Sequence, residues 1–474
     1  MSGHDLLIVI LISLLVVLVP SLGLSQLFRK AGLPAWKAWI PFWNTWEIIR
    51  ICGVKKHWFF WQFIPIAGWF ISIWLFIEFV KLFGKHSFWQ HGLVVLVPYL
   101  YFPLLGFDAR VKFIGLEAAR KHRKSSLREW VDAGIFAIVA ATLIRTFVFE
   151  AYTIPTSSME KTLLVNDFLF VSKFSYGPRI PNTPLAIPFV HHTLPFFNTK
   201  SYAEWLQLPY TRWFANPVER NDVVVFNFPA GDTLTVENDS RYPYYDMVRD
   251  MGRERVWSEY TVRTRPVDKR ENYIKRCVAI PGDTLQLKDG LLFINNAPAY
   301  VSPTSSTFYY ITTENTVWDE ETLRENGIQL NLEDGDPDFR PEAANTYRIN
   351  LTLDELAIVK KLPGFKSATR EIGTISSVYP FDTIAGQWTM DNFGPLWVPK
   401  KGVTISLTPA NVALYKRCIA VYENNQWEER EGRIFLNGKE TTEYTFRLNY
   451  YWMMGDNRHK SQDSRFWGFV PEDH

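Results

Sequence analysis

The sequence predicts a four-helix N-terminal membrane region joined to a mainly antiparallel β domain on the outer side of the membrane. Three observations lead there. Four apolar segments, 5–24, 58–80, 88–107 and 133–149, approach the ~20 residues a helix needs to cross hydrocarbon. Beyond residue 150 these long runs give way to short alternating ones bounded by Gly, Pro, Asn and Asp, which is the pattern of strands and turns. At 474 residues the chain is too long for one ordinary domain.

The first segment has no Lys or Arg before it, and Arg29 and Lys30 come after it. It therefore reads as a retained anchor and not as a cleaved leader. Segments 58–80 and 88–107 are rich in Trp and Phe, whose rings anchor at membrane interfaces. The stretch 34–43, with Trp36, Trp39 and Trp43 among prolines, reads as an interfacial element in the loop between the first two spans. That loop carries Arg29, Lys30, Lys37, Arg50, Lys55 and Lys56, and the loop after the third span carries seven Lys and Arg from Arg110 to Arg128. The loop between the second and third spans has only Lys81 and Lys85. The positive-inside rule then puts both basic loops in the cytoplasm and the N-terminus and everything after residue 150 outside. Arg145, near the outer end of the fourth span (129–150 with its flanks), can snorkel to the headgroups.

The net charge of +2, from 51 Lys and Arg against 49 Asp and Glu, gives no concentrated basic face for nucleic acid. Three cysteines, Cys52, Cys277 and Cys418, make neither a disulfide framework nor a metal cluster. Cys277 and Cys418 read as small core residues, although an oxidising compartment would leave pairing open.

In the outer region, 223–228, 273–280, 284–287, 291–294 and 433–436 read as strands. The aromatic stretch 188–214 fits a loop on the membrane surface and equally well a packed core. The run Tyr273-Ile274-Lys275-Arg276-Cys277-Val278-Ala279 is echoed by Leu414-Tyr415-Lys416-Arg417-Cys418-Ile419-Ala420, as by a duplication or one strand motif used twice. The echo supplies two candidate lysines.

The candidate chemistry starts at Tyr152-Thr153-Ile154-Pro155-Thr156-Ser157-Ser158-Met159, just outside the fourth span. A serine hydroxyl needs a base. His191, His192, His459 and His474 form no telling pattern, and a triad of Ser158, His459 and Asp456 or Asp463 has no support in the spacing. A lysine can serve if burial makes it neutral at working pH. Lys275 sits in an apolar strand, shares a face with Cys277, and leaves Arg276 on the other face.

These stretches resemble bacterial type I signal peptidases. The 152–159 run is similar to the family's nucleophile box, 273–283 with its Pro281-Gly282-Asp283 turn to the lysine box, and 455–471, beginning Gly455-Asp456-Asn457-Arg458, to the last box. Arg220-Asn221-Asp222-Val223 matches a structural strand of the family. The resemblance implies a signal peptidase-like β fold, here with a large insertion at about 296–450, and an outer domain of 151–474 following the membrane region 1–128. It implies a membrane-bound serine endopeptidase, of a Ser/Lys dyad type, that cleaves N-terminal signal peptides from exported preproteins. Ser158 would be the nucleophile and Lys275 the base. Thr156 and the Ser158 amide would form the oxyanion site, Ser461 would orient the lysine beside Gly455, and the Asp463–Arg465 pair would hold the loop. Tyr152, Ile154 and Ile274 would line pockets for small side chains. No metal or cofactor is required. The implied partners are preprotein signal peptides, the lipid bilayer and a secretion translocon, at a bacterial cytoplasmic membrane crossed several times.

Two replacements depart from the family pattern: Thr156 stands where many members have Ser, and Ser157 where they have Gly. Lys416 lacks the Pro-Gly-Asp turn, with Val421-Tyr422-Glu423 in its place. A catalytically silent scaffold of this fold, or a Ser/Lys hydrolase of another membrane-presented substrate, remains the alternative; Ser158, Lys275 and Ser461 are all present, against the first of these.

Overall fold

The computed structural model describes residues 18–63, 67–122, 125–238, 242–333, 335–381 and 388–474. The chain divides into two compact units, Met1–Ile135 and Phe136–His474, with the boundary inside the helix Ser126–Phe147.

In the first unit, residues 18–30 are helical, and the helices Trp43–Ile51, Ala67–Lys81, Phe88–Leu96 and Pro98–Phe107 follow. Leu27, Phe28, Ile48, Leu75, Phe79 and Phe102 form its core. Gly23 lies against the backbone of Phe102 and Pro103, and a Cβ there would be 2.0 Å from the Phe102 carbonyl carbon, so only glycine allows this crossing. Buried Glu47 is held by Lys37 at 2.5 Å and Arg50 at 3.0 Å.

Two of the expected spans differ from a single straight helix. Segment 58–80 is divided into Trp58–Trp61 and Ala67–Lys81, and residues 64–66 are outside the described residues. Segment 88–107 is two helices bent by 119° at Val97. The cause is Pro98, which has no N–H to continue the first helix and pushes the preceding Val97 out of the helical region, to φ −137°. Residues 5–17 of the first segment lie outside the described residues. Among the described residues, Ser126–Phe147 is the one single helix long and apolar enough to cross a membrane; the bent pair makes a second if it counts as one span.

The second unit is mainly antiparallel β. Its central sheet runs Val470–Pro471, Tyr450–Met454, Asn272–Ala279, Val223–Asn227. A second sheet, in the order Phe393–Trp397, Thr284–Lys288, Leu291–Ile294, Ala297–Pro298, packs with it around Trp452, Phe393, Phe446, Tyr450 and Phe469. The ribbon Phe149–Thr153 with Phe168–Ser172 leads out of the long helix. A further four-stranded sheet, Phe339–Ala343, Thr346–Thr352, Ser306–Thr313, Phe365–Arg370, has a core of its own around Ile311, Trp318, Ile349 and Val359.

The second copy of the lysine motif is not a strand. Residues Pro409–Arg417 form an α-helix that continues into a wide turn at Cys418–Tyr422. Pro409 at the first helical turn and a capping box between Thr408 and Asn411 start that helix, signals absent before Lys275. The hairpin that follows, Trp427–Arg430 with Arg433–Leu436, does form. Cys277 and Cys418 are both buried free thiols.

Candidate active site

The ribbon ends at Ile154, whose amide donates to Asp167 O (3.0 Å) and whose carbonyl accepts from the Asn166 amide (2.8 Å). Extended Thr156 then enters one tight turn, Ser157–Met159. Proline at 155 suits the extended entry, and buried Met159 anchors the exit, its sulfur accepting from the Asp456 amide. Ser158 is thereby held beside the strand Asn272–Ala279 of the central sheet.

The lysine strand Asn272–Ala279 pairs with Val223–Asn227 so that Val224 faces Lys275. Alternation puts Lys275 on one face and Arg276 on the other, where Arg276 grips Asp456 through two bonds of 2.8 and 2.6 Å. Lys275 is 4% exposed. Its Nζ lies 2.6 Å from Ser158 Oγ and 3.0 Å from its neighbour's carbonyl, Ile274 O. Burial lowers the Lys275 amine to about 8, against the opposing charge of Asp463, which raises it. An amine titrating there is part neutral at physiological pH and can accept a proton.

Thr156 Oγ1 is 3.4 Å from Ser158 Oγ, and the threonine side chain faces solvent. Gly455 sits against the turn: a Cβ at that position would be 2.4 Å from Ser158 O and 2.2 Å from Ser461 Oγ. Ser461 is buried there, but the two hydrogen bonds of the Lys275 amine go elsewhere. Asp463 and Arg465 are both fully buried; Arg465 donates two hydrogen bonds of 2.9 and 2.8 Å to the Asp463 carboxylate, which also accepts from the Gly455 amide (3.1 Å). Burial alone would raise the Asp463 carboxyl; Arg465 first, then the Gly455 amide and the Ser461 hydroxyl, hold it below the usual carboxylate range. At the Pro281-Gly282-Asp283 turn, Gly282 has φ +97°, and Asp283 pairs with Arg220 through 2.7 and 2.6 Å bonds.

Other candidates lie apart. His459 stacks on Phe308, and its Nε2 is 2.7 Å from Asp391, so it is engaged away from Ser158. Lys416 is half exposed and pairs with Glu429 at 2.7 Å. Tyr152 and Ile274 line a cavity of about 480 Å³ with Leu169, Val223 and Val225. Tyr152 donates to Glu150 (2.6 Å), while Ile154 is buried and outside that lining. Residues that sequence reasoning passed over are Asn457, whose amide donates to Ser158 O (3.2 Å) and whose Nδ2 donates to Ser157 O (3.0 Å), and Lys161, whose side chain is shielded from solvent and pairs with Glu355 at 2.6 Å. Asn457 sat in plain view in the last box; nothing in the sequence marked Lys161, whose partner is 194 residues away.

This unit presents a serine hydroxyl 2.6 Å from a buried amine on a scaffold of antiparallel sheets. The family model described as signal peptidase, peptidase S26, matches residues 127–332 and 399–474, more than half of the chain, and the chain belongs to that family. A second model, for a family of unknown function, matches 36–116. Similar proteins include signal peptidase I of Rickettsia massiliae, 31% identical over 173 residues, which are 36% of this chain and 44% of that protein. The same enzyme of Rickettsia akari is 30% identical over 173 residues, again 36% and 44%, and that of Rickettsia bellii 27% identical over 184 residues, 39% and 45%. The matches thus span less than half the length of these relatives.

Proposed function

We propose that the protein is a membrane-bound serine endopeptidase that removes N-terminal signal peptides from exported preproteins. The observation that carries this reading is the 2.6 Å approach of Lys275 Nζ to Ser158 Oγ, with the amine lowered to about 8. Neutral Lys275 takes the Ser158 proton as Oγ attacks the scissile carbonyl, then returns it to the leaving amine. The Ser158 amide and the Thr156 hydroxyl donate to the oxyanion. Water, deprotonated by the same lysine, attacks the acyl-enzyme, and Ser158 recovers its proton.

The nucleophile follows the helix Ser126–Phe147 by eleven residues, which favours substrates presented at the membrane surface. Exposed Phe168, Phe170, Phe196, Phe197, Trp205 and Phe214 in the same unit support contact of that unit with the bilayer. The basic loops favour an outer catalytic domain at a cytoplasmic membrane.

The test is cleavage of a detergent-solubilised preprotein by the purified full chain, with Ser158→Ala, Lys275→Ala and Lys416→Ala beside it. Cleavage after a small-x-small sequence by wild type and Lys416→Ala, and none by the other two, is expected. An active Lys275→Ala would overturn the mechanism, and an inactive wild type in detergent and in lipid would overturn the function.

A further inference from the structure

Residues 333–398 lie outside the family match, yet their strand Thr346–Thr352 reaches Asn457 and Lys161, the first bonded to the nucleophile turn and the second just beyond it. We propose that Asn350 is a positioning residue for Ser158 and acts through Asn457; this rests on the role proposed above for Ser158.

Asn457 is fully buried and holds the peptide on both sides of the nucleophile. Its backbone amide donates to Ser158 O at 3.2 Å and its side-chain Nδ2 to Ser157 O at 3.0 Å. An amide side chain has two faces, and only the Nδ2 face suits a carbonyl. Asn350 decides which face is presented. Its Nδ2 donates to Asn457 Oδ1 (3.1 Å) and to Asp338 Oδ1 (2.9 Å), so Asn457 Oδ1 is taken and its Nδ2 is left for Ser157. A flipped Asn457 would set oxygen against oxygen at Ser157 and nitrogen against nitrogen at Asn350.

Asn350 is itself fixed. Its backbone amide donates to Asp338 O (2.8 Å), and its carbonyl accepts from Lys161 Nζ (2.8 Å), three residues beyond the nucleophile. Lys460 holds Asp338 Oδ1 at 2.7 Å, and Glu355 holds Lys161 at 2.6 Å. Asn350 is fully buried, and among the described residues its own Oδ1 has no hydrogen-bond partner. A buried amide with an idle acceptor and both donors in use is placed there for donation, since an apolar residue would fill the site without that cost. The segment outside the family match is in this way tied to the turn that carries Ser158.

The experiment compares wild type, Asn350→Leu, Asn350→Ala, Asn457→Ala and the double variant Asn350→Leu/Asn457→Ala in the full chain, by preprotein cleavage and by hydrogen exchange over residues 157–163. Leucine keeps the branched outline while removing the idle acceptor and both donors, and alanine removes them without the extra bulk of the two methyl groups, so the pair separates lost donation from overpacking. The expected result is a kcat lowered tenfold or more with KM within twofold, exchange at the turn amides tenfold faster, and a double variant no slower than Asn457→Ala. Equal kcat and equal exchange in Asn350→Leu would overturn the proposal, as would losses that multiply in the double variant. Failure of both Asn350 variants to fold would make Asn350 a folding residue and overturn it too. Should wild type not cleave, the proposed activity falls, and the exchange data alone still decide whether Asn350 holds the turn.

Discussion

The α-carbon of Gly455 stands against the carbonyl of Ser158 so closely that a methyl group there would come within 2.4 Å of the oxygen. The same methyl would meet Ser461 Oγ at 2.2 Å and Ser461 Cβ at 2.6 Å. The need for glycine is therefore one of space, with backbone on one side that cannot swing away. Gly455→Ala should push the nucleophile turn off the Lys275 amine. The expected outcome is at least a hundredfold loss of kcat, with stability lowered by about 1–3 kcal/mol as for an overpacked core. Urea unfolding beside cleavage kinetics checks both; an active Gly455→Ala would show that the turn can yield.

The lysine sets two pH dependences of the same origin. With Lys275 as the proposed base, kcat/KM should rise with pH and level off above about 8. For stability, the folded amine at about 8 lies below the unfolded lysine value of about 10.4. Between those values the unfolded chain binds more protons, so this group makes stability rise with pH across that window. Below it the buried charge costs on the order of 3 kcal/mol. Lys275→Met should thus be inactive yet more stable than wild type at pH 7, with the gain fading as pH approaches 10. Equal stability of the two at pH 7 would mean the amine is not held low.

The proposed oxyanion role of Thr156 can be separated from its shape. Its hydroxyl lies 3.4 Å from Ser158 Oγ on an otherwise exposed side chain. Thr156→Val keeps the branched shape and removes the donor, and the expected loss is about 10²–10³ in kcat with KM little changed. Thr156→Ser restores the donor and should return most of the rate. A fully active valine variant would leave the Ser158 amide as sole donor.

Sequence made the β domain legible because strand alternation is local: the face shared by Lys275 and Cys277, the opposite face taken by Arg276, and the turn at Gly282 all follow from neighbours along the chain. The lysine echo misled for the same reason. Lys416-Arg417-Cys418 repeats the letters, but Thr408 and Pro409 upstream cap a helix, and the amine ends half exposed on Glu429. The apolar runs 58–80 and 88–107 read as continuous spans, but the first is divided into Trp58–Trp61 and Ala67–Lys81 and Pro98 bends the second by 119°. What no local pattern could give was the partner of a polar residue far along the chain. Asn350 meets Asn457 across 107 positions and Lys161 meets Glu355 across 194, and such pairs depend on how separate sheets dock.

Asp463 faces both Arg465 and, at longer range, Lys275, and its removal should act on each. Asp463→Asn takes the nearest carboxylate from the fully buried Arg465 and leaves only Asp391, at 3.9 Å, a loss of up to about 3–5 kcal/mol for a broken buried pair. Replacing both partners, as in Asp463→Asn/Arg465→Met, removes the stranded charge and should recover much of that stability. In either variant Lys275 loses the one negative charge that raises its pKa. Burial then acts unopposed, and the midpoint of the kcat/KM profile should move below about 8. The double variant is the better test, because it separates folding from titration: stability near wild type with an acid-shifted profile is expected. An unshifted midpoint would mean that Asp463 holds the loop without touching the charge on Lys275.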